Sequence, residues 1–344
     1  MLVSVIVPIY NVESYLRRCL DGLKSQTLES IEFVCVDDGS TDGSLDILRS
    51  YASSDDRFRI IAKSNSGYGH TINRGINAAR GEYVGVVESD DFCDAEMFER
   101  LYDLAQAHEL DIVRSSYYRY WSLPSERIEY VPSAPEEACG IVFDPRAYKS
   151  CFLFHPALWS MLVKRNIIES NNLRLLETPG ASYQDTSFSF KLWACCSRAM
   201  VLRDAYLYYR QDNESSSINQ PGKLQYVPRE YQEIERFVLS DKQRFGELLE
   251  IMEKRKFSAY IWNYDRLATE LHFEFARMAS LEFQESFVGG SLNKDLYSSD
   301  EWSDLVLLSR DPEKFVYLRD SASELSKRVH YVAERIRRVF CQGR

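Results

Sequence analysis

The sequence predicts an α/β fold, a mainly parallel sheet flanked by helices and followed by an α-helical C-terminal region. Three observations carry that expectation. β-Branched apolar runs alternate with amphipathic helical stretches through the first third of the chain, the pattern of a doubly wound sheet. The earliest runs are apolar at nearly every position, as in strands covered on both faces. Beyond about residue 223 the alternation stops and helical periodicity alone remains.

The elements follow in order. "LVSVIVPIY" reads as a buried strand, and "SYLRRCLDGLKSQT" sets Tyr15, Leu16, Cys19, Leu20 and Leu23 on one helical face. "IEFVCVDD" and "GSLDILRSYAS" repeat the strand and helix, with Ser40 or Asp42 expected to cap that second helix. "FRIIAK" and "GHTINRGINAAR" form a third pair, "EYVGVVESDD" is a fourth strand, "AEMFERLYDLAQAHEL" a helix and "DIVRSSYYRY" a strand. Regularity fails after about residue 120, where "WSLPSERIEYVPSAPEEACG" reads as a loop or hairpin. Residues 155–210 hold two helical stretches and a short strand pair, "AMVLRD" and "AYLYYRQ". "NQPGK" punctuates the change to helices, so an α/β domain over 1–220 and a helical region over 221–344 are expected.

Composition narrows the function. The 344 residues are 45% hydrophobic and 27% charged, ordinary for a globular chain. A net charge of -10 argues against nucleic-acid binding, which usually shows a basic domain. Eight scattered cysteines without a C-x-x-C pair, and five histidines, suit neither a zinc site nor a disulfide framework. Buried free thiols in a reducing compartment are expected instead. The N-terminus lacks the basic start and cleavage site of a signal peptide, and no apolar run approaches the ~20 residues a bilayer requires. A cytoplasmic protein is expected.

Parallel open sheets bind ligands at the carboxyl ends of their strands, where strand order reverses. Three polar clusters occupy such ends: Pro8, Tyr10 and Asn11; Asp37 and Asp38; and Glu88, Ser89, Asp90 and Asp91. Each alone is also good turn or cap chemistry. Together they bring several carboxylates to one edge, which is costly without a cation. A hard divalent ion, Mg²⁺ or Mn²⁺, is the expected partner, with phosphate oxygens filling its other positions.

On these residues the sequence resembles family 2 glycosyltransferases, inverting enzymes with a Rossmann-like GT-A fold. The resemblance runs through "VSVIVPIYNVESYLRRCLDGLKSQTLESIEFVCVDDGSTDGSLDILRSYA" and "NSGYGHTINRGINAARGEYVGVVESDD", and resumes in "ALWSMLVKRNIIESNNLRLLETPGASYQDTSFSFKLW" and "AYLYYRQDNESSSI". It implies a nucleotide-sugar half over about 1–115 and an acceptor half over about 116–220. It implies that Tyr10 stacks on a uracil-type base and that Asp37 and Asp38 accept hydrogen bonds from the nucleoside. Glu88-Ser89-Asp90 stands in place of the Asp-x-Asp motif, Asp90 being the implied metal ligand assisted by Glu88 and Asp91. Asp185, in "SYQDTSFSFKLW", matches the base that deprotonates the acceptor hydroxyl. Gln184 stands where members often carry Glu, which would leave that base one neighbouring charge fewer. Asn65, Gly67, Asn73 and Arg74 fall beside the ribose and diphosphate. Many members carry Arg at the place of Ile72, and His70 or Arg74 is the available substitute. Arg210 would reach the diphosphate from a closing loop, and Trp159 either lines the acceptor site or belongs to the core.

The activity implied is metal-dependent, inverting, hexosyltransferase-type transfer from a nucleotide sugar, a UDP-sugar foremost, to a glycan or lipid-linked acceptor in surface polysaccharide synthesis. A non-catalytic GT-A module that binds nucleotide or glycan is the alternative, because Glu88 and Gln184 depart from the family pattern. A nicotinamide-dependent oxidoreductase lacks its G-x-G-x-x-G fingerprint here. Near the C-terminus, Leu318, Ala322, Leu325, Val329, Val332, Ile336 and Val339 form an apolar seam on a basic helix. Three readings compete for 318–340: packing on the helical region, peripheral contact with the inner face of a membrane, or a homodimer.

Overall fold

The structure, a computed structural model, describes residues 1–181, 183–214 and 223–321. Strands β1 (Val3–Ile9), β2 (Ile31–Asp37), β3 (Phe58–Ala62) and β4 (Tyr83–Val86) alternate with helices α1 (Glu13–Lys24), α2 (Ser44–Ala52) and α3 (Tyr68–Ala78). Every residue of β1, β2 and β4 is buried, which is why these runs carry no polar alternation. Helix α1 buries Leu16, Cys19, Leu20 and Leu23, four of the five positions the periodicity places on its inner face.

The chain continues through β5 (Phe92–Cys93), α4 (Met97–Ala107), β6 (Ile112–Trp121) and β7 (Arg127–Val131). Then come β8 (Met161–Lys164), α5 (Arg165–Ser170), α6 (Asp185–Cys195) and β9 (Ala199–Arg210). The strands join one sheet in the order β3-β2-β1-β4-β8-β6-β9-β5, with β7 paired to β6. The β3-β2-β1-β4 side is parallel throughout, whereas β8 runs antiparallel to both β4 and β6 and β5 antiparallel to β9. Strand order therefore turns back between β1 and β4, which opens the crevice expected of such sheets at their carboxyl ends.

Several expectations are refined. The turn-rich stretch after residue 120 is a hairpin, β6 pairing antiparallel with β7 from Tyr117↔Val131 to Trp121↔Arg127. The two strands read from "AMVLRD" and "AYLYYRQ" are one, β9, whose polar middle, Arg203 and Asp204, is exposed; its ladder with β6 is irregular near Arg114–Tyr117. The fourth strand stops at Val86, because Asp91 N–H donates back to Glu88 O at 3.0 Å and closes a turn. The described cysteines are free thiols, most of them buried; Cys341 lies outside the described residues.

The chain divides into two compact units, one of Met1–Gln220 with Arg229–Ile251 and one of Pro221–Pro228 with the residues from Met252 onward. Helices α7 (Tyr226–Ser240), α8 (Lys242–Phe245) and α9 (Leu249–Tyr264) follow β9. From Arg229 to Ser240, α7 belongs to the first unit. The second unit is built on α10 (His272–Gly289) and α11 (Ser299–Arg310), where Phe257, Tyr260, Phe275 and Phe283 pack ring against ring. Among the described residues no helix is long and apolar enough to cross a membrane. The seam expected over 318–340 lies outside the described residues from Ala322 onward.

Candidate active site

Three loops at the carboxyl edge are knitted together by their own side chains. After β1, Asn11 sits at φ 52 and its Oδ1 accepts from Thr41 N–H at 2.8 Å, while its own N–H donates to Ser40 Oγ at 3.1 Å. Asp42, not Ser40, serves the start of α2: its Oδ1 accepts from Ser44 N–H at 3.0 Å. Pro8 is buried within β1, and Tyr10 is 49% exposed beside the crevice, an aromatic face with nothing stacked on it among the described residues.

The acidic pair after β2 divides its labour. Asp38 is satisfied by the protein itself: Lys63 Nζ forms an ion pair with it, and Ser66 and Gly67 N–H donate to it at 2.8 and 3.0 Å. Asp38 thereby anchors the loop entering α3. Asp37 differs. Its Oδ2 takes a long bond of 3.3 Å from Ser40 N–H, and its buried Oδ1 has no hydrogen-bond partner. A buried acceptor left unanswered is costly.

Helix α3 holds the crevice wall against the chain that leads to α6. Gly67 has φ 89, and a Cβ there would stand 2.6 Å from Thr178 O; one on Gly69 would collide with Leu176 O at 2.0 Å. Only glycine permits that approach. Asn73 completes the seam, its Oδ1 accepting from Leu175 N–H and its Nδ2 donating to Leu175 O, both at 3.0 Å. It also donates to Glu177 at 2.9 Å, so Asn73 clamps α3 to the chain that leads to α6. Asn65 and Arg74 are exposed at this edge, and His70 is half-buried with no hydrogen-bond partner for its Nδ1.

The turn after β4 is the acidic centre. Tyr68 Oη donates to Glu88 Oε1 at 2.6 Å. Asn213 Nδ2 donates to Asp90 Oδ2 at 2.7 Å, and Arg210 N–H to Asp91 Oδ1 at 2.8 Å. Asp91 Oδ2 is buried without a partner, and Ser89 is buried between the acids. Burial raises Glu88 to about 8, against the pull of the Tyr68 bond and with the charges of Asp90 and Asp185 adding. Burial likewise raises Asp90 and Asp91, and Asp90 pushes Asp91 further. Asp185, at the first position of α6, acts electrostatically on Tyr68, Glu88 and Tyr209, so these groups share one neighbourhood.

Arg210 stands on a strand, where a closing loop was expected. It ends β9, 4% exposed, with Nε donating to Asp90 O at 2.9 Å and Nη1 to Asp212 Oδ1 at 3.0 Å and Ser122 Oγ at 3.1 Å. Its guanidinium lies over Tyr15 and Tyr120. These contacts brace the acidic turn. Trp159 is core, stacked on Tyr209 and edge-on to Tyr117. Nothing in the sequence singles out Tyr68, Asn213 or Glu230; the last stands near Asp185.

Among the described residues no three acidic, thiol or imidazole side chains stand together as a ready-made coordination shell. The donor set nonetheless fits a hard cation bound mainly by phosphate and water: carboxylate oxygens only, one of them orphaned, all held in a state that a positive charge would relieve.

Comparison with known proteins bears on this arrangement. Residues 4–128 match the family described as Glycosyl transferase family 2. The chain is 34% identical over 241 residues to an uncharacterized glycosyltransferase, EpsJ, of Bacillus subtilis (strain 168), covering 67% of this chain and 68% of that one. It is 29% identical over 285 residues to a poly(ribitol-phosphate) beta-glucosyltransferase of Bacillus spizizenii, covering 80% of this chain and 41% of the relative, less than half that protein's length. Among solved structures, S. aureus TarS 1–349 in complex with UDP-GlcNAc aligns with a TM-score of 0.73 at 19% identity, covering 94% of this chain and 92% of that one. That likeness is one of fold.

Proposed function

The chain belongs to glycosyl transferase family 2, and on that premise we propose that it transfers a sugar, with inversion, from a UDP-sugar to a hydroxyl of a glycan or lipid-linked acceptor. The observation that supports this reading most is the gathering of Glu88, Asp90, Asp91 and Asp185 at the edge that also holds the unanswered Asp37 Oδ1. The named relatives support the donor and acceptor classes: one acts on poly(ribitol phosphate), and a fold neighbour holds UDP-GlcNAc.

Each residue then has a task. Tyr10 offers its ring to the base, an offset contact worth about 1 kcal/mol beyond its buried area. Asp37 Oδ1 accepts from the nucleoside. Asp90 and Asp91, with Glu88 beside them, would hold Mn²⁺ or Mg²⁺. Bound there, such an ion offsets charge on the departing diphosphate. Asp185 takes the acceptor proton as that oxygen forms its bond to the anomeric carbon and the bond to the nucleoside diphosphate breaks on the opposite face. A positioned base contributes about 10²–10⁴-fold. The acidic crevice is braced by Arg210 and Asn213, so these residues shape it without touching the sugar.

A thermal-shift screen of nucleotide sugars, with and without Mn²⁺, followed by an assay of donor hydrolysis, tests the reading. Stabilisation grows with the logarithm of ligand over Kd, so the donor stands out. A protein that binds UDP yet turns over with no acceptor or water is the non-catalytic module. Peripheral membrane contact or dimerisation through 318–340 belongs to the same proposal. Liposome flotation and sedimentation of the intact chain against one ending near residue 315 decide between them.

A further inference from the structure

Helix α6 starts without a cap of its own. Gln184 precedes it and makes no side-chain cap bond; its Nε2 donates instead to Thr178 Oγ1 at 2.8 Å and Gly180 O at 3.2 Å. The first N–H groups of a helix need acceptors. One comes from another helix: Ser187 N–H donates to Glu230 Oε2 on α7 at 3.1 Å. One turn further along, Lys191 Nζ donates to Glu233 Oε1 at 2.9 Å and to Arg174 O at 2.7 Å. Residues 230 and 233 of α7 thus grip residues 187 and 191 of α6, matched i,i+3 against i,i+4.

Glu230 is an expensive choice for this work. It is 1% exposed, and it stands near the like charge of Asp185. A serine or asparagine at the cap position would satisfy an N–H without burying a carboxylate. The charged groups that face it are Asp185 and Lys191 on α6 and, on its own helix, Glu233, which is paired to Lys191 and Arg236.

We propose that Glu230 is a positioning residue for Asp185: a carboxylate contributed by α7 that holds the first turn of α6 and, through its own charge, strengthens Asp185 as a base. This rests on Asp185 being the base of the reaction proposed above. Ionised Glu230 makes the bond to Ser187 N–H charge-assisted, favours the positive end of the α6 dipole and draws a proton more strongly onto Asp185. Burial raises Glu230 to about 7, its bonds to Ser187 pulling the other way and Asp185 adding to the rise. Turnover should therefore climb as pH passes through that value.

The test uses the full chain with Glu230→Gln and Glu230→Leu. Gln keeps an acceptor for Ser187 and loses the charge; Leu loses both. Glu230→Gln is expected to lower kcat about 3- to 10-fold with donor KM unchanged, and to flatten the rise of kcat near pH 7. Glu230→Leu is expected to lower kcat about 100-fold, counted per UDP-binding site so that misfolded protein is not scored. Glu233→Gln, which touches α6 further from Asp185, is expected to lower melting temperature and keep the rise. A wild-type pH profile in Glu230→Gln overturns the inference, as does a Leu variant whose kcat per UDP site is unchanged. Asp185→Asn separates the two readings. If it stays active, the base assignment fails; if it is dead while Glu230→Gln behaves as wild type, only the inference fails.

Discussion

Tyr68 Oη and Glu88 Oε1 stand 2.6 Å apart, a phenol donating to a carboxylate at the bottom of the acidic crevice. The bond favours the ionised form of Glu88, yet burial and the neighbouring charges of Asp90 and Asp185 outweigh it and leave Glu88 at about 8. Glu88 is thereby held largely protonated near neutral pH.

The first prediction follows from that balance. Glu88 has a folded value above its ordinary 4.5, so the stability tied to it is full below that value and is lost as pH rises through about 8. In a chelator the melting temperature is expected to fall from pH 5 to pH 8. Mn²⁺ should restore it, with a shift that grows with pH to roughly 4 °C or more. Scanning fluorimetry across pH, with and without the metal, checks this; a metal shift independent of pH would remove Glu88 from the effect.

The adjacent aspartates should part company. Asp37→Asn removes the charge and leaves one acceptor oxygen in place of two, and donor KM is expected to rise about tenfold, the equivalent of ~1.4 kcal/mol, with melting temperature nearly unchanged. Asp38→Asn removes the buried partner of Lys63 and is expected to lower melting temperature by several degrees. Steady-state kinetics beside melting curves would tell one pattern from the other.

Asp185→Asn is expected to cut transfer about 10²–10⁴-fold and to leave UDP affinity within about twofold. Isothermal titration of UDP against measured turnover separates loss of chemistry from loss of the fold.

Arg210→Ala removes a buried cation from Asp212 and from the backbone of Asp90. Breaking such a pair costs about 3–5 kcal/mol. A fall in melting temperature together with loss of the Mn²⁺ response is expected, because the acidic turn loses its brace. A stable variant changed only in donor KM would return Arg210 to the ligand.

How much of this was legible depends on the span of each contact. Strands β1 and β2 announce themselves because both faces are buried, and unbroken apolar runs record that directly. The end of β4 does not, because the turn at Glu88–Asp91 is closed by backbone atoms that no side-chain pattern reports. Strand β9 reads as two because Arg203 and Asp204 look like a turn, although the chain runs straight through them in the open. The acids were visible as clusters; their partners were not. Tyr68, Asn213 and Glu230 reach Glu88, Asp90 and Ser187 across 20, 123 and 43 positions, distances over which a single sequence carries no signal. Asp38 shows the same limit, since its ion pair with Lys63 spans 25 positions.

Asn73 treats Leu175 as one strand treats another, giving and taking a hydrogen bond through a single amide. A wall of the crevice and the chain leading to α6 are thereby stitched into one seam, so neither can drift without dragging the other. Lineages that retune which sugar is carried would have to retune both sides of that stitch together, and a chimera cut between them should inherit two sound halves that no longer meet.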